Sequence, residues 1–193
     1  MARDEILEAP PGYRAEEVAR FLWQMDDQNE RLIKDIQGAS TEELAWQSGP
    51  GINTIGMLLA HIAIVEVFWT QVVLEERKFD SPEVLGVGPD DDGMPLPPEG
   101  LPPTALSGKD LGFFVDLLER ARQYLKGIAR GLSTDDLPQR VSRTRKDGTK
   151  DTFNKSWALY HMLEHEAAHY GQIMLLRHLY RASVPLANAA QSN

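Results

Sequence analysis

Four of the chain's five histidines fall between His161 and His178, and three of them, His161, His165 and His169, are spaced four residues apart. On a helix this interval puts the side chains on one face, one above the next. Two imidazoles so spaced can converge on a single divalent ion, which makes the i, i+4 pair a frequent helical ligand pair. The fifth histidine, His61, sits between Leu58 and Val65, on the side of its stretch that should face a helical interior. A lone core histidine is ordinarily satisfied by a hydrogen-bond partner. Three in register among apolar residues are different, because each buried imidazole needs a partner and a shared metal satisfies several. His178 does not fit the series and is expected at the surface.

The text His165-Glu166-x-x-His169 also spells the zinc-protease motif, which this chain does not continue. A metzincin would place Gly and His where Gln172 and Leu175 stand, and no acidic residue follows Glu166 to act as a downstream ligand. A third ligand must therefore come from upstream. Glu166 is read equally as a solvated or salt-bridged helix residue and as a general base. Gln172 lies on the face of His165 and His169, where it can orient a ligand or make an interhelical hydrogen bond. Trp157, one turn before His161, fits core packing or a substrate wall. Glu66 is turned away from the His61 face, which suits a salt bridge.

Four apolar stripes at three- and four-residue steps must position these groups. They run from about Tyr13 to Gln37, Asn53 to Arg77, Asp110 to Arg130 and Asn154 to Tyr180. Gly38 and Gly131 close the first and third. Ser40-Thr41-Glu42-Glu43-Leu44 reads as the capped start of one further turn. Between residues 80 and 109 lie seven of the twelve prolines and the run Asp90-Asp91-Asp92-Gly93, so this stretch is expected to form a long crossover or a lid without regular structure. The acidic run lacks the alternating spacing and closing Glu of a calcium loop. The one strand-like stretch, Gln139 to Phe153, carries an Asp147-Gly148 turn and predicts a small hairpin. The pattern predicts an all-α fold: a four-helix bundle with a long Pro-rich crossover and a hairpin before the last helix. It is expected to form one domain over 1–193, with its core at about 14–180.

Composition narrows the chemistry. The 193 residues contain no cysteine, which removes disulfides, Fe–S clusters, Cys-ligated zinc and a thiol nucleophile of the chain's own. Against 29 acidic residues stand 20 basic ones, a net charge of −9 that argues against general nucleic-acid binding. The basic run Arg140, Arg143, Arg145, Lys146, Lys150 and Lys155 could steer an anionic substrate, although such runs are commonly solvated hairpins. No secretory signal is evident at the start. The most apolar stretch, Ile55 to Trp69, is shorter than the roughly 20 residues of a membrane span. A soluble cytoplasmic protein without nucleic-acid or membrane partners is expected.

The order Leu58-Leu59-Ala60-His61 with Glu66, then Trp157 through Glu166, then His169-Tyr170-Gly171-Gln172-Ile173 resembles the DinB/YfiT-like family of metal-dependent enzymes. The stretches around Trp46 and Gly51 to Gly56 are similar to that family too, so the resemblance covers about Arg14 to Leu179 and leaves the Pro-rich loop as an insertion. It implies a DinB-like bundle of up-down-down-up topology with a divalent metal held by His61, His165 and His169. His161 then becomes a pocket or outer residue. Tyr170 departs from the pattern, since many relatives carry Arg there.

Relatives with assigned activities include thiol S-transferases using bacillithiol or mycothiol and a mycothiol-dependent maleylpyruvate isomerase. Three imidazoles leave an open metal position, which suits zinc, nickel or iron. The expected function is transfer of a low-molecular-weight thiol to a small electrophile, with His161, Gln172, Trp157 and Glu166 as candidate pocket or outer residues. A metal-dependent hydrolase using metal-bound water and a non-catalytic metal-binding bundle are the alternatives. The family, and apolar residues all round the fourth helix such as Met162, Ile173 and Met174, point to a homodimer.

Overall fold

A computed structural model describes residues 6–145 and 147–184; Lys146 and the tail from Pro185 lie outside the described residues. The first helix, α1 (Glu16–Asp35), opens on Glu16 and Glu17, which suit the positive end of the helix dipole. It buries Val18, Leu22, Met25 and Leu32 along one face. The chain reverses through Gly38 at φ +73°, a backbone angle that favours glycine. Ser40 Oγ then accepts from the Glu43 amide and starts the short α2 (Thr41–Ala45), the extra turn that its capping text predicts.

Thr54 caps α3 (Ile55–Trp69) in the same way, its hydroxyl accepting from the Met57 amide at 3.1 Å. This helix is apolar and buried nearly all round, as a central helix must be. It runs on without a break into a π-helical turn, Thr70–Leu74. Together they make 20 residues, long and apolar enough to cross a membrane, so length does not exclude a span as the sequence suggested. Most of that helix is covered by the rest of the protein, as in a core helix.

The 80–109 segment is more regular than its prolines predict. Asp80 caps α4 (Ser81–Leu85) with Pro82 in the first turn, where the missing N–H of proline is harmless, and a 3₁₀ turn forms at Thr104–Leu106. Gln71 ties down the start of the segment, its amide donating to Asp80 O and accepting from Asp80 N.

Asp110 caps α5 (Leu111–Ala129). The hairpin follows as β1 (Arg140–Thr144) and β2 (Lys150–Asn154), antiparallel and in register Val141 to Phe153. Asn154 then caps the long α6 (Lys155–Ser183). Among the described residues there are thus six α-helices and one two-stranded sheet. α3 packs on α5 and α6, and α1 packs on α6 and α5.

One buried cation joins these four long helices. Arg122 on α5 is 4 % exposed and reaches Glu66 on α3, Glu166 on α6 and Asp26 on α1. Burial works against its charge, but Glu66 and Glu166 outweigh that and hold the guanidinium protonated. A second buried pair, Arg177 with Glu43, fixes α6 to α2, and Arg177 also donates to the carbonyls of Asp35, the last residue of α1, and Gln37 just after it.

Candidate metal centre

The packing of α3 on α6 brings His61 against the His165–His169 ridge. His165 Nε2 lies 3.2 Å from His61 Nε2 and 3.1 Å from His169 Nε2. One ligand atom from each of the three histidines lies within 4.8 Å of the others. For metal–nitrogen bonds of about 2.0–2.1 Å, two ligands at the tetrahedral angle stand about 3.3–3.4 Å apart, and at a right angle about 2.9 Å. The two spacings fall between those limits.

The proton count points the same way. His61 Nδ1 faces the Asp92 carboxylate at 2.7 Å, which can only accept, so Nδ1 carries a proton, and in the neutral ring Nε2 is then a bare lone pair. His169 Nδ1 faces Gln172 Oε1 at 2.8 Å, with the same consequence for its Nε2. A neutral His165 has one proton to offer, and two acceptors flank its Nε2. The centre is short of positive charge at the point where three nitrogens converge, and the three histidines can hold a metal ion there.

Two of the three imidazoles, His165 and His169, are pushed toward the neutral form, the form that ligates. Burial, with His169 and His61 adding to it, pushes His165 down to about 3. Burial also lowers His169, partly opposed by its hydrogen bond to Gln172.

The other candidate residues divide. Gln172 is joined to the centre through His169. His161 stacks on Trp157, with ring centroids 4.6 Å apart and planes at 9°, and its Nδ1 meets Glu164 at 2.9 Å. Its ring centroid is 5.7 Å from that of His165. Trp157 is 37 % exposed rather than enclosed in the core, and it continues the stack to Phe153. With Phe153, Arg140, Thr152 and Asn154 it lines an open groove of about 540 Å³. Glu166 is not brought to the histidines: one position round α6 from His165, it turns inward to Arg122. Burial raises it to about 7, although Arg122 pulls the other way.

Of the basic run, Arg143 covers the Phe68 ring, Arg145 pairs with Asp151 and Lys155 with Glu76. His178 is exposed, as its place in the sequence predicts. On the far side of Gln172, a second groove of about 240 Å³ is lined mainly by Ile52, Leu58, Leu175 and Leu176. Sequence reasoning missed Asp92. The acidic run that contains it reads as part of a crossover or lid and fails the spacing of a calcium loop, and nothing in its text points to a histidine 31 residues upstream.

Fold and site define a mainly helical protein with a three-histidine centre able to hold a metal. The sequence pattern of the Mycothiol-S-transferase family matches residues 21–182, and the chain belongs to that family. The membership agrees with the DinB/YfiT-like resemblance read from the motifs. No curated protein matches the sequence. A crystal structure of a conserved protein from Enterococcus faecalis is similar in fold, with a TM-score of 0.60 at 12% identity over 84% of this chain and 95% of that one.

Proposed function

We propose that the protein is a metal-dependent thiol S-transferase, with His61, His165 and His169 as the ligands of one divalent ion, zinc or nickel before iron. The observation that carries this reading is the convergence of three imidazole nitrogens from His61, His165 and His169 on one point, in a chain of the Mycothiol-S-transferase family. When bound, the ion supplies a Lewis acid that favours the thiolate form of a thiol. The chain has no cysteine, so the sulfur must arrive on a cosubstrate such as mycothiol.

The protein's own groups hold and shape the site. Asp92 and Gln172 fix the tautomers of His61 and His169. The Phe153–Trp157–His161 stack forms a rigid wall beside the centre, with the groove containing Arg140 and Asn154 beyond it for the polar body of the thiol. The apolar groove past Gln172 suits the electrophile. In the transfer an S–C bond forms as the bond from carbon to the leaving group breaks. The leaving group departs with the electron pair, and the thiol proton goes to solvent.

The pairwise packing of α1, α3, α5 and α6 supports a four-helix bundle, for which the family resemblance implies up-down-down-up topology. The exposed Leu175 and Leu179 on α6 support a homodimer. The test is to incubate zinc- or nickel-loaded protein with mycothiol and an alkyl halide. Metal-dependent loss of free thiol matched by thioether is expected. Loss of the halide at an unchanged thiol concentration would overturn transfer in favour of hydrolysis.

A further inference from the structure

We propose that Asp92, on the Pro-rich segment, is a positioning residue of the metal centre that also sets its charge. This rests on the metal-binding half of the proposed function and not on thiol transfer. Asp92 is 2 % exposed. Its Oδ2 accepts from His61 Nδ1 at 2.7 Å and its Oδ1 from the Met94 amide at 2.9 Å. Its ion-pair partner among the described residues is His61 alone. A carboxylate buried this deeply is costly unless positive charge compensates it. A cation held on the far nitrogen of the same ring supplies that charge.

The segment that carries Asp92 is strapped across α3 so that the carboxylate arrives in one place. Gly51 N and the Gln47 amide both donate to Gly100 O. The Gly88 amide donates to the neighbouring Asp91. Gly93 takes φ +69°, and a Cβ there would stand 2.9 Å from the Pro103 ring. Asp92 is thus delivered by backbone geometry, with a residue that only glycine fills well directly behind it.

Two consequences follow for a bound ion. The carboxylate fixes His61 with its Nε2 lone pair directed at the centre and strengthens it as a donor. It also halves the charge of a divalent ion whose ligands are neutral, so one monoanion, a thiolate or a hydroxide, brings the assembly to neutrality. Positioning and charge balance therefore reside in a loop that supplies no ligand.

The experiment compares the full-length wild-type chain with Asp92→Asn and Asp92→Ala. Zinc affinity is read by chelator competition, and cobalt-substituted samples are titrated with azide. Zinc affinity should fall about 10- to 100-fold in both variants, and azide should bind the cobalt site several-fold more tightly because the site is more positive. Gly93→Ala disturbs the loop with the carboxylate in place, and Asp90→Asn removes an exposed neighbouring charge. Both should leave azide affinity close to wild type. Wild-type zinc and azide affinities in the Asp92 variants would overturn the proposal and leave the proposed function standing, as would a Gly93→Ala protein that matches them in both readouts. Failure of the wild-type chain to bind zinc or cobalt would overturn both.

Discussion

The Arg122 guanidinium on α5 donates to both carboxylate oxygens of Glu66 on α3, each at 2.9 Å, in a fork-on-fork pair shut away from solvent. Glu166 of α6 takes a further bond from the same guanidinium. Arg122 thereby sets how α3 and α6 lie against one another, and with them the approach of His61 to His165. Arg122→Leu leaves two buried carboxylates without their cation and should cost about 3–5 kcal/mol in denaturant unfolding. Adding Glu66→Leu and Glu166→Leu should recover most of the loss, because an apolar trio of similar volume replaces the network. A single variant as stable as wild type would contradict this account of the core.

Glu166 should leave a signature in pH. Its carboxyl ordinarily titrates near 4.5 and is raised to about 7 in the folded protein, chiefly by burial. Between those values the folded state binds more protons than the unfolded one, so this group's contribution to stability falls as pH rises through that window. Glu166→Gln cannot titrate and escapes that fall. The stability of the variant relative to wild type should therefore move in the variant's favour from pH 4.5 to 8, whatever its offset. Melting temperatures of both metal-free proteins across that range provide the check, and a flat or opposite trend would contradict it.

Gly56, in the first turn of α3, has no room for a side chain. A Cβ there would stand 2.7 Å from the tip of the buried Phe114 ring and 3.2 Å from Leu44 O. Gly56→Ala should destabilise by about 1–3 kcal/mol through overpacking. Adding Phe114→Leu should recover part of that loss. Equal stability of Gly56→Ala and wild type in urea unfolding would refute the close packing.

Much of this protein is local, and local features were legible in the sequence. The caps Ser40, Thr54, Asp110 and Asn154 stand where each helix text begins, and Asp147-Gly148 foretells the hairpin. The histidine ridge was legible because four-residue spacing on α6 is itself the geometry. What could not be read is what depends on distant contacts. Asp92 reaches His61 only because loop backbone, not periodicity, carries it there. Arg122 takes its role only from the three other helices that close round it. Trp157 reads as core packing before it reads as a wall, yet it is 37 % exposed and stacked on the hairpin's Phe153, a partner its own helix text does not show. The helix α4 was hidden because prolines signal a break, yet one is well accommodated in a first turn.

The central claim is that one metal sits among His61, His165 and His169. Elemental analysis of untagged protein, beside His61→Ala and His165→Ala, tests it most directly. The account predicts about one divalent metal per chain in the wild type and none retained by either variant after dialysis. A wild-type chain that stays metal-free after reconstitution with zinc or nickel, or variants that keep the metal, would contradict it.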